Sequence, residues 1–214
     1  MELNNDGIPQ YEIKENVAWD NIPFTPELES LASRTKAVCF GSLAQRSVVS
    51  RDTISRFLNA MSPAEDDLVV FDVNLRQQFY TKEILAASME RCSILKINDE
   101  ELIEVSRMFG CPGIDLEKKC RHMLGLFDLS MLILTCGING SYVFAHDDMS
   151  FRPTPKVVVA DTVGAGDSFT AAFIASLLKG KSMAEAHETA VLTSAFVCTQ
   201  NGAMPLLPSS ITGA

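Results

Sequence analysis

The chain of 214 residues is 47% hydrophobic and 21% charged, which supports a large buried core and argues against a disordered protein. Its formal net charge of -9 argues against duplex nucleic acid or an anionic membrane surface as the main partner, because both require a basic face. Six cysteines occur without a CxxC pair, mostly inside apolar runs, which is typical of buried thiols in a reducing compartment. The N-terminal residues show no signal-peptide pattern, so we expect a cytoplasmic protein.

Short apolar runs alternate with helical patterns along most of the chain. The runs that predict buried strands cover residues 36–40, 67–73, 92–97 and 130–135. Helices are predicted between and after them, at residues 50–61, 82–91, 100–108 and 116–127. Such alternation indicates βαβ units, and therefore an α/β fold with a mostly parallel central sheet.

The pattern changes after Thr135 and differs again at the N-terminus. Residues 140–162 predict hairpin-like strands around a polar turn at Asp147 and Asp148. Two helices are predicted to follow, at residues 165–178 and 183–199. Residues 10–20 alternate like an exposed strand, so we place residues 1–22 in a small piece outside the main sheet.

Polar residues follow four of the apolar runs directly, where an open parallel sheet binds its ligands. These residues are Asp72, Asn74 and Arg76; Asn98 and Glu101; Thr135, Gly137, Gly140 and Ser141; and Asp161, Thr162 and residues 164–167 after "VVVA". Each set has a structural alternative, respectively a turn, a helix capping box, a plain hairpin or turn, and a glycine turn that opens a helix. Together they predict one ligand site at one edge of the sheet.

The segment "DTVGAGD" is the most specific of the four. Small residues at the start of a helix leave amides free to bind an anion, and the helix dipole adds to the attraction. Asp167 would repel a phosphate there unless it had a task, such as accepting the proton of an attacking hydroxyl. Neither a GxxxxGK[ST] nor a GxGxxG sequence occurs, so the helix start itself is the predicted phosphate cradle. For a hydrated Mg²⁺, Asn98 and Glu101 are the predicted oxygen ligands.

Four motifs in order resemble those of the PfkB family of carbohydrate kinases, also called ribokinase-like sugar kinases. "DTVGAGDSFTAAF" resembles the family's C-terminal signature, and "KINDEE" resembles its N-x-x-E magnesium motif. "LTCGINGS" is similar to the T-x-G-x-x-G nucleotide segment, and "FDVNLR" to the D-x-N-x-R stretch of fructokinase-like members. The resemblance covers roughly Phe40 to Gly202.

The resemblance implies a role for each of these positions. It implies Asp167 as catalytic base, with an anion hole formed by Gly164, Ala165 and Gly166. It places Asn98 and Glu101 with Mg²⁺ and the phosphates, Arg76 near the sugar or the transferring phosphate, and K⁺ at backbone carbonyls around Asp161 and Val163. The residues that it implies along ATP are Thr135, Gly137, Gly140, Asn201 and Gly202.

Family members are usually longer, and their N-terminal part supplies the first strands, a sugar-gripping acid and most of a β-lid. We therefore expect a ribokinase-like three-layer αβα sandwich without those N-terminal strands. In this interpretation residues 1–22 are a remnant of the β-lid and a linker, and residues 23–214 are the α/β nucleotide-binding kinase core.

The expected function is an ATP-dependent sugar kinase, with fructose as acceptor because "FDVNLR" resembles fructokinase-like members. The alternatives are a kinase for another sugar, such as 2-keto-3-deoxygluconate or ribose, or a non-catalytic nucleotide-binding remnant. The expected partners are ATP and a small sugar, without nucleic acid or membrane, and a homodimer is left open.

Overall fold

A six-stranded sheet forms the centre of the computed structural model, which describes residues 2–3, 9–10, 13–61 and 67–212. The strands are β1 Glu2–Leu3, β2 Pro9–Gln10, β3 Ala37–Gly41, β4 Leu68–Asp72, β5 Ile94–Asn98, β6 Met131–Thr135, β7 Ser141–Phe144 and β8 Met149–Arg152. β1 and β2 form a separate antiparallel pair, and β3 to β8 lie side by side in chain order. β3 to β6 are parallel and β7 and β8 are antiparallel, which confirms the mostly parallel sheet.

The helices connect and cover these strands. They are α1 Pro26–Ala32, α2 Val48–Ala60, α3 Lys82–Met89, α4 Asp99–Met108, α5 Leu116–Leu126, α6 Ala165–Leu178, α7 Met183–Cys198 and α8 Ser209–Thr212. The six longer helices agree with the sequence prediction to within two residues at each end. Among the helices in the described part of the chain, none has the length and apolar character needed to cross a membrane.

Alternate residues of the strands face two separate cores, as the two-residue period of a strand requires. On one face, Phe71 and Leu95 pack with side chains of α3, α4 and α5. On the other, Val70, Ile94 and Ile133 pack against α6 and α7. Helices on both faces of one sheet make the predicted three-layer αβα sandwich.

One apolar run does not form the strand that its composition suggests. The hairpin of β7 and β8 turns at Asp147 and Asp148 as predicted, but the chain leaves the sheet after Arg152. Residues 153–159 lie outside regular structure, and Val158 is 90% exposed. Pro153 and Pro155 carry no amide hydrogen, which interrupts a ladder directly after β8, whereas residues 157–160 keep their own amides.

Of the exposed strand predicted over residues 10–20, Gln10 lies in β2, whereas residues 13–20 form no strand. Asn16 takes a φ of +57°, and Ala18–Asp20 form a 3-10 turn. The Asp20 carboxylate accepts from Val17 N and from two nitrogens of Arg46 at 2.7 and 2.8 Å, which holds the chain in that turn. The structure describes residues 2–3, 9–10 and 13–22 of the β-lid remnant proposed for residues 1–22, and that role stays a prediction.

A buried histidine joins the second core to the hairpin. His187 on α7 is fully buried, with Nε2 2.8 Å from Ser141 Oγ and Nδ1 2.9 Å from Ser150 Oγ. Burial lowers the pKa of His187 from 6.5 to about 4, and the charge of Arg152 contributes to the decrease. The neutral imidazole is therefore the form that the folded protein holds.

We expect His187 to make the protein less stable in mild acid. Above pH 6.5 the imidazole is neutral in both states, so it adds no pH dependence; between about pH 6.5 and 4 only the unfolded state binds the proton. The cost grows to at most about 3 kcal/mol, since one pKa unit is worth about 1.4 kcal/mol. Urea unfolding at pH 7 and pH 4.5 measures it, and His187→Asn is expected to lose less stability across this interval than the parent. Equal losses of stability in the parent and in His187→Asn would show that His187 does not cause the acid destabilisation.

Candidate active site

The carboxyl ends of the parallel strands bring the predicted polar residues to one edge of the sheet. Asp72 at the end of β4 is the register partner of Lys96 on β5, and Asn98 at the end of β5 is the partner of Thr135 on β6. Parallel pairing in register aligns the strand ends, so the segments that follow them start side by side.

The "FDVNLR" segment is fixed where it leaves β4. Val73 N donates to the Lys96 carbonyl, and Ser42 Oγ donates to the Val73 carbonyl at 2.7 Å. Leu75 N donates to Glu101 Oε1 at 2.8 Å. These bonds hold the backbone on both sides of Asn74, which takes a φ of +45°. Arg76 follows as an exposed side chain, with Nη1 3.0 Å from the Leu75 carbonyl.

Asn98 and Glu101 form the capping box that their spacing predicts. Asn98 Oδ1 accepts from Glu101 N at 2.8 Å, and Glu101 Oε2 accepts from Asn98 N at 3.1 Å. Glu101 is buried, so its two oxygens are bound by two backbone amides, those of Asn98 and Leu75. A carboxylate oxygen can accept more than one hydrogen bond, so Glu101 keeps the capacity to hold a water of hydrated Mg²⁺.

That arrangement fits an ion bound through water and does not form a dense metal cage. Within residues 13–61 and 67–212 no group of three or more His, Cys, Asp or Glu side chains is placed to hold a metal ion. Mg²⁺ usually keeps several waters and takes few protein groups, so such a cage is not required.

The segment from Thr135 to Gly140 leads into the hairpin. Gly137–Asn139 form a 3-10 turn, and Gly140 takes a φ of +100°. A Cβ on Gly140 would lie 2.6 Å from the Arg152 carbonyl oxygen, so packing in the hairpin explains this glycine. Gly137 also has a positive φ, yet a Cβ there would meet no atom within 4 Å. The surface at Gly137 is therefore open to a ligand.

The N-terminus of α6 has the geometry expected of an anion cradle. Gly164 caps the helix at a φ of +80°, and Ser168 N donates to its carbonyl at 2.8 Å. The amides of Gly164 and Gly166 find no acceptor among the described residues, whereas Ala165 N donates to the Thr162 carbonyl at 3.2 Å. Asp167 lies exposed in the same first turn.

Asp161 joins this cradle to the turn that follows α7. Its Oδ1 accepts from Val163 N at 3.0 Å and its Oδ2 from Gly202 N at 3.2 Å. The bonds from these two amides lower the pKa of the Asp161 carboxyl. The turn carrying Asn201 and Gly202 thus lies beside the cradle, as an ATP site spanning both would require. The K⁺ site at the backbone of Asp161 and Val163 stays a prediction.

A buried polar network beneath the cradle was missed from the sequence. Lys96 Nζ lies 3.0 Å from Asp72 Oδ1, and the Thr170 hydroxyl lies 3.2 Å from Asp72 Oδ2 and 3.0 Å from the Gly166 carbonyl. Burial raises the pKa of Asp72, an effect that Lys96 and Thr170 oppose and the charge of Asp167 increases. The available signal was a lysine inside the otherwise apolar strand "ILKIN".

The fold and these contacts define an α/β protein with a candidate anion site at a helix N-terminus, next to an exposed carboxylate. A match to the pfkB family carbohydrate kinase description covers residues 13–210. The chain belongs to the PfkB family of carbohydrate kinases, because that match takes in nearly its whole length.

Individual relatives agree with this assignment. Fructokinase-1 of Oryza sativa subsp. japonica is 29% identical over 225 residues, covering 99% of this chain and 68% of the relative. Aminoimidazole riboside kinase of Salmonella typhimurium is 30% identical over 150 residues, covering 65% of this chain and 45% of the relative.

Solved structures share the fold. Aminoimidazole riboside kinase from Salmonella enterica, complexed with aminoimidazole riboside and an ATP analogue, has a TM-score of 0.70 at 25% identity, covering 84% of this chain and 62% of that one. A sugar kinase from Pyrococcus horikoshii in complex with ATP has a TM-score of 0.73 at 24% identity, covering 91% and 62%. The fold is therefore ribokinase-like, and the chain spans about two thirds or less of the length of these relatives.

We expect Gly164→Ala to damage the cradle far more than Gly180→Ala damages the other end of α6. Both glycines have nearly the same φ, +80° and +78°, so an alanine at either costs about 1–2 kcal/mol of strain. A Cβ on Gly164 would also lie 2.7 Å from that of Ala203, whereas one on Gly180 meets no atom within 4 Å. Such overpacking adds about 1–3 kcal/mol. Urea unfolding of the two variants measures the difference, and equal losses would refute the close approach.

Proposed function

We propose that the chain carries the nucleotide-binding core of an ATP-dependent sugar kinase, which transfers the γ-phosphoryl group to a primary hydroxyl. The observation that carries the proposal is the placement of Asp167. It lies in the first turn of α6, directly after the unpaired amides of Gly164 and Gly166. A carboxylate there favours the helix dipole but repels a bound anion, whereas a phosphotransferase needs it as a base for the acceptor hydroxyl.

In the proposed reaction the sugar oxygen forms a bond to the γ-phosphorus, and the bond from that phosphorus to the β,γ-bridging oxygen breaks. ADP leaves with the electron pair of that bond, and the hydroxyl proton passes to Asp167. The amides of Gly164 and Gly166, with the dipole of α6, stabilise the charge on the transferring oxygens. Asn98 and Glu101 would hold Mg²⁺ through water, and the ion would neutralise phosphate charge when bound.

The remaining positions have proposed places around this centre. Arg76 is exposed on a backbone fixed by Glu101 and Ser42, so it can reach the sugar or the transferring phosphate. ATP would lie along the open surface at Gly137 towards the turn at Gly202. The proposal also includes a K⁺ site at the backbone of Asp161 and Val163. We further propose that the protein is cytoplasmic.

Fructose is the proposed acceptor because "FDVNLR" is of the fructokinase type and a fructokinase is among the similar relatives. A riboside or ribose is the second candidate, favoured by the similarity to the aminoimidazole riboside kinases. A nucleotide-binding protein without kinase activity is the alternative of another class.

The first experiment measures ADP release from ATP and Mg²⁺ with fructose, ribose, aminoimidazole riboside and 2-keto-3-deoxygluconate. It uses this chain and a version extended upstream, and it records ATP binding by calorimetry. We expect this chain to bind ATP. We expect fructose-dependent ADP release from whichever of the two proteins binds the sugar. ATP binding without turnover of any sugar in either form would favour the non-catalytic alternative, and absence of ATP binding would refute the proposed core.

We expect Asp167→Asn to lower turnover about 100-fold or more, since general-base catalysis contributes about 10²–10⁴-fold. The variant is made in whichever form of the protein phosphorylates a sugar. Affinity for ATP should stay the same or increase, because a negative charge beside the phosphates is removed. Asp147→Asn, in the exposed turn of the β7–β8 hairpin, is the matched control for loss of one surface charge. Equal turnover in both variants and the parent would remove Asp167 from the base role.

A further inference from the structure

Lys96 is a buried cation whose surroundings do not use its full hydrogen-bonding capacity. The residue is 8% exposed, and its ammonium is paired with Asp72 at 3.0 Å. An ammonium has three N–H donors, and among the described residues Asp72 is the acceptor that Lys96 Nζ contacts. A buried lysine is costly unless its donors are satisfied, so the remaining donors point to a further acceptor.

The position of the ammonium indicates where that acceptor would lie. A Cβ built on Gly166 would be 3.3 Å from Lys96 Nζ, which places the ammonium directly beneath the first turn of α6. Among the described residues the amide of Gly166, like that of Gly164, finds no acceptor at this helix start. An anion at the amide of Gly166 would therefore also be close to Lys96.

The charges around the cradle also indicate that Lys96 contacts a bound anion. Asp72 and Asp167 lie near enough to interact, because the charge of Asp167 contributes to the raised pKa of Asp72. A phosphoryl group arriving at α6 would meet two carboxylates without Lys96. Two amides and a helix dipole, worth about half a unit charge, do not offset both.

We propose that Lys96 is a further catalytic residue, which donates hydrogen bonds from beneath the cradle to an oxygen of the γ-phosphoryl group of ATP. The inference rests on the proposed function and adds a participant to it. In that role Asp72 positions the ammonium between the sheet and α6, and Thr170 fixes Asp72 by donating to its other carboxylate oxygen. Lys96 exchanges no proton in the transfer, and the hydroxyl proton still passes to Asp167.

The main test compares binding of ADP and of a non-hydrolysable ATP analogue to the parent and to Lys96→Met, by calorimetry. The parent should bind both ligands. Lys96→Met should bind the analogue about 10-fold or more weakly relative to ADP, the range of a lost hydrogen bond to a charged group. An equal effect on both ligands, or none, would overturn the role of Lys96 while leaving the kinase proposal intact. Failure of the parent to bind either ligand would refute the proposed function itself.

Lys119 offers the matched control for removal of a buried ammonium. It is 1% exposed on α5 and donates to Ser106 Oγ at 2.7 Å and to the Cys111 carbonyl at 2.8 Å, on the face of the sheet opposite α6. Lys119→Met should lower stability without changing the ratio of analogue to ADP affinity. The same change of ratio in both variants would show a general effect of destabilisation and overturn the proposal.

A double variant distinguishes contact of Lys96 with phosphate from simple neutralisation of Asp72. It also keeps the proposal testable if Lys96→Met alone does not fold. Lys96→Met with Asp72→Asn leaves no uncompensated charge in the buried pair, so it is expected to fold. If Lys96 contacts the phosphoryl group, the double variant still binds the analogue about 10-fold more weakly relative to ADP than the parent does. Recovery of the parent ratio would show that Lys96 only balances Asp72, and would overturn the proposal.

Discussion

The parallel register of β4, β5 and β6 is the constraint on which the candidate site depends. It places Lys96 beside Asp72 and Asn98 beside Thr135 at one edge of the sheet. A shift of one residue would turn Lys96 into the core that holds Leu95 and would break both pairs. Since both faces of the sheet are buried under helices, the apolar residues of each strand fix this register. Packing of the core and assembly of the site are therefore the same requirement.

One face of helix α6 packs in the core and also contacts the buried pair of Asp72 and Lys96 beneath the cradle. Gly166, Thr170 and Phe173 follow one another at helical spacing, so they line the side that meets the sheet. Phe173 packs in the core below, Thr170 binds Asp72, and Gly166 gives the space above Lys96. Asp167, one residue further on, is rotated by about 100° and faces out towards an acceptor. The core contact thus sets the height and rotation of the cradle.

The sequence predicted most of this fold because its signals are local. The apolar runs and the helix periods identified β3 to β6 and α2 to α7, and "DTVGAGD" predicted the start of α6 at Ala165. The run of residues 157–160 misled the prediction, since an apolar composition does not show whether a partner strand lies beside the run, and the chain has left the sheet after β8. Lys96 was missed for a related reason. Its meaning depends on Asp72, Thr170 and Gly166, which lie far apart in the chain and meet only in the folded sheet.

The capping box at Asn98 and Glu101 shows that a structural role and a ligand role can support each other. Two backbone amides hold the Glu101 carboxylate, one in its own helix and one in the "FDVNLR" segment. That carboxylate cannot rotate away from the strand edge, and its charge is stabilised without a cation beside it. A water of a hydrated ion then meets an acceptor already in place, which lowers the entropy cost of binding. The cap at α4 is therefore a reason to expect Mg²⁺ at this edge, and the alternatives of cap and ligand do not exclude each other.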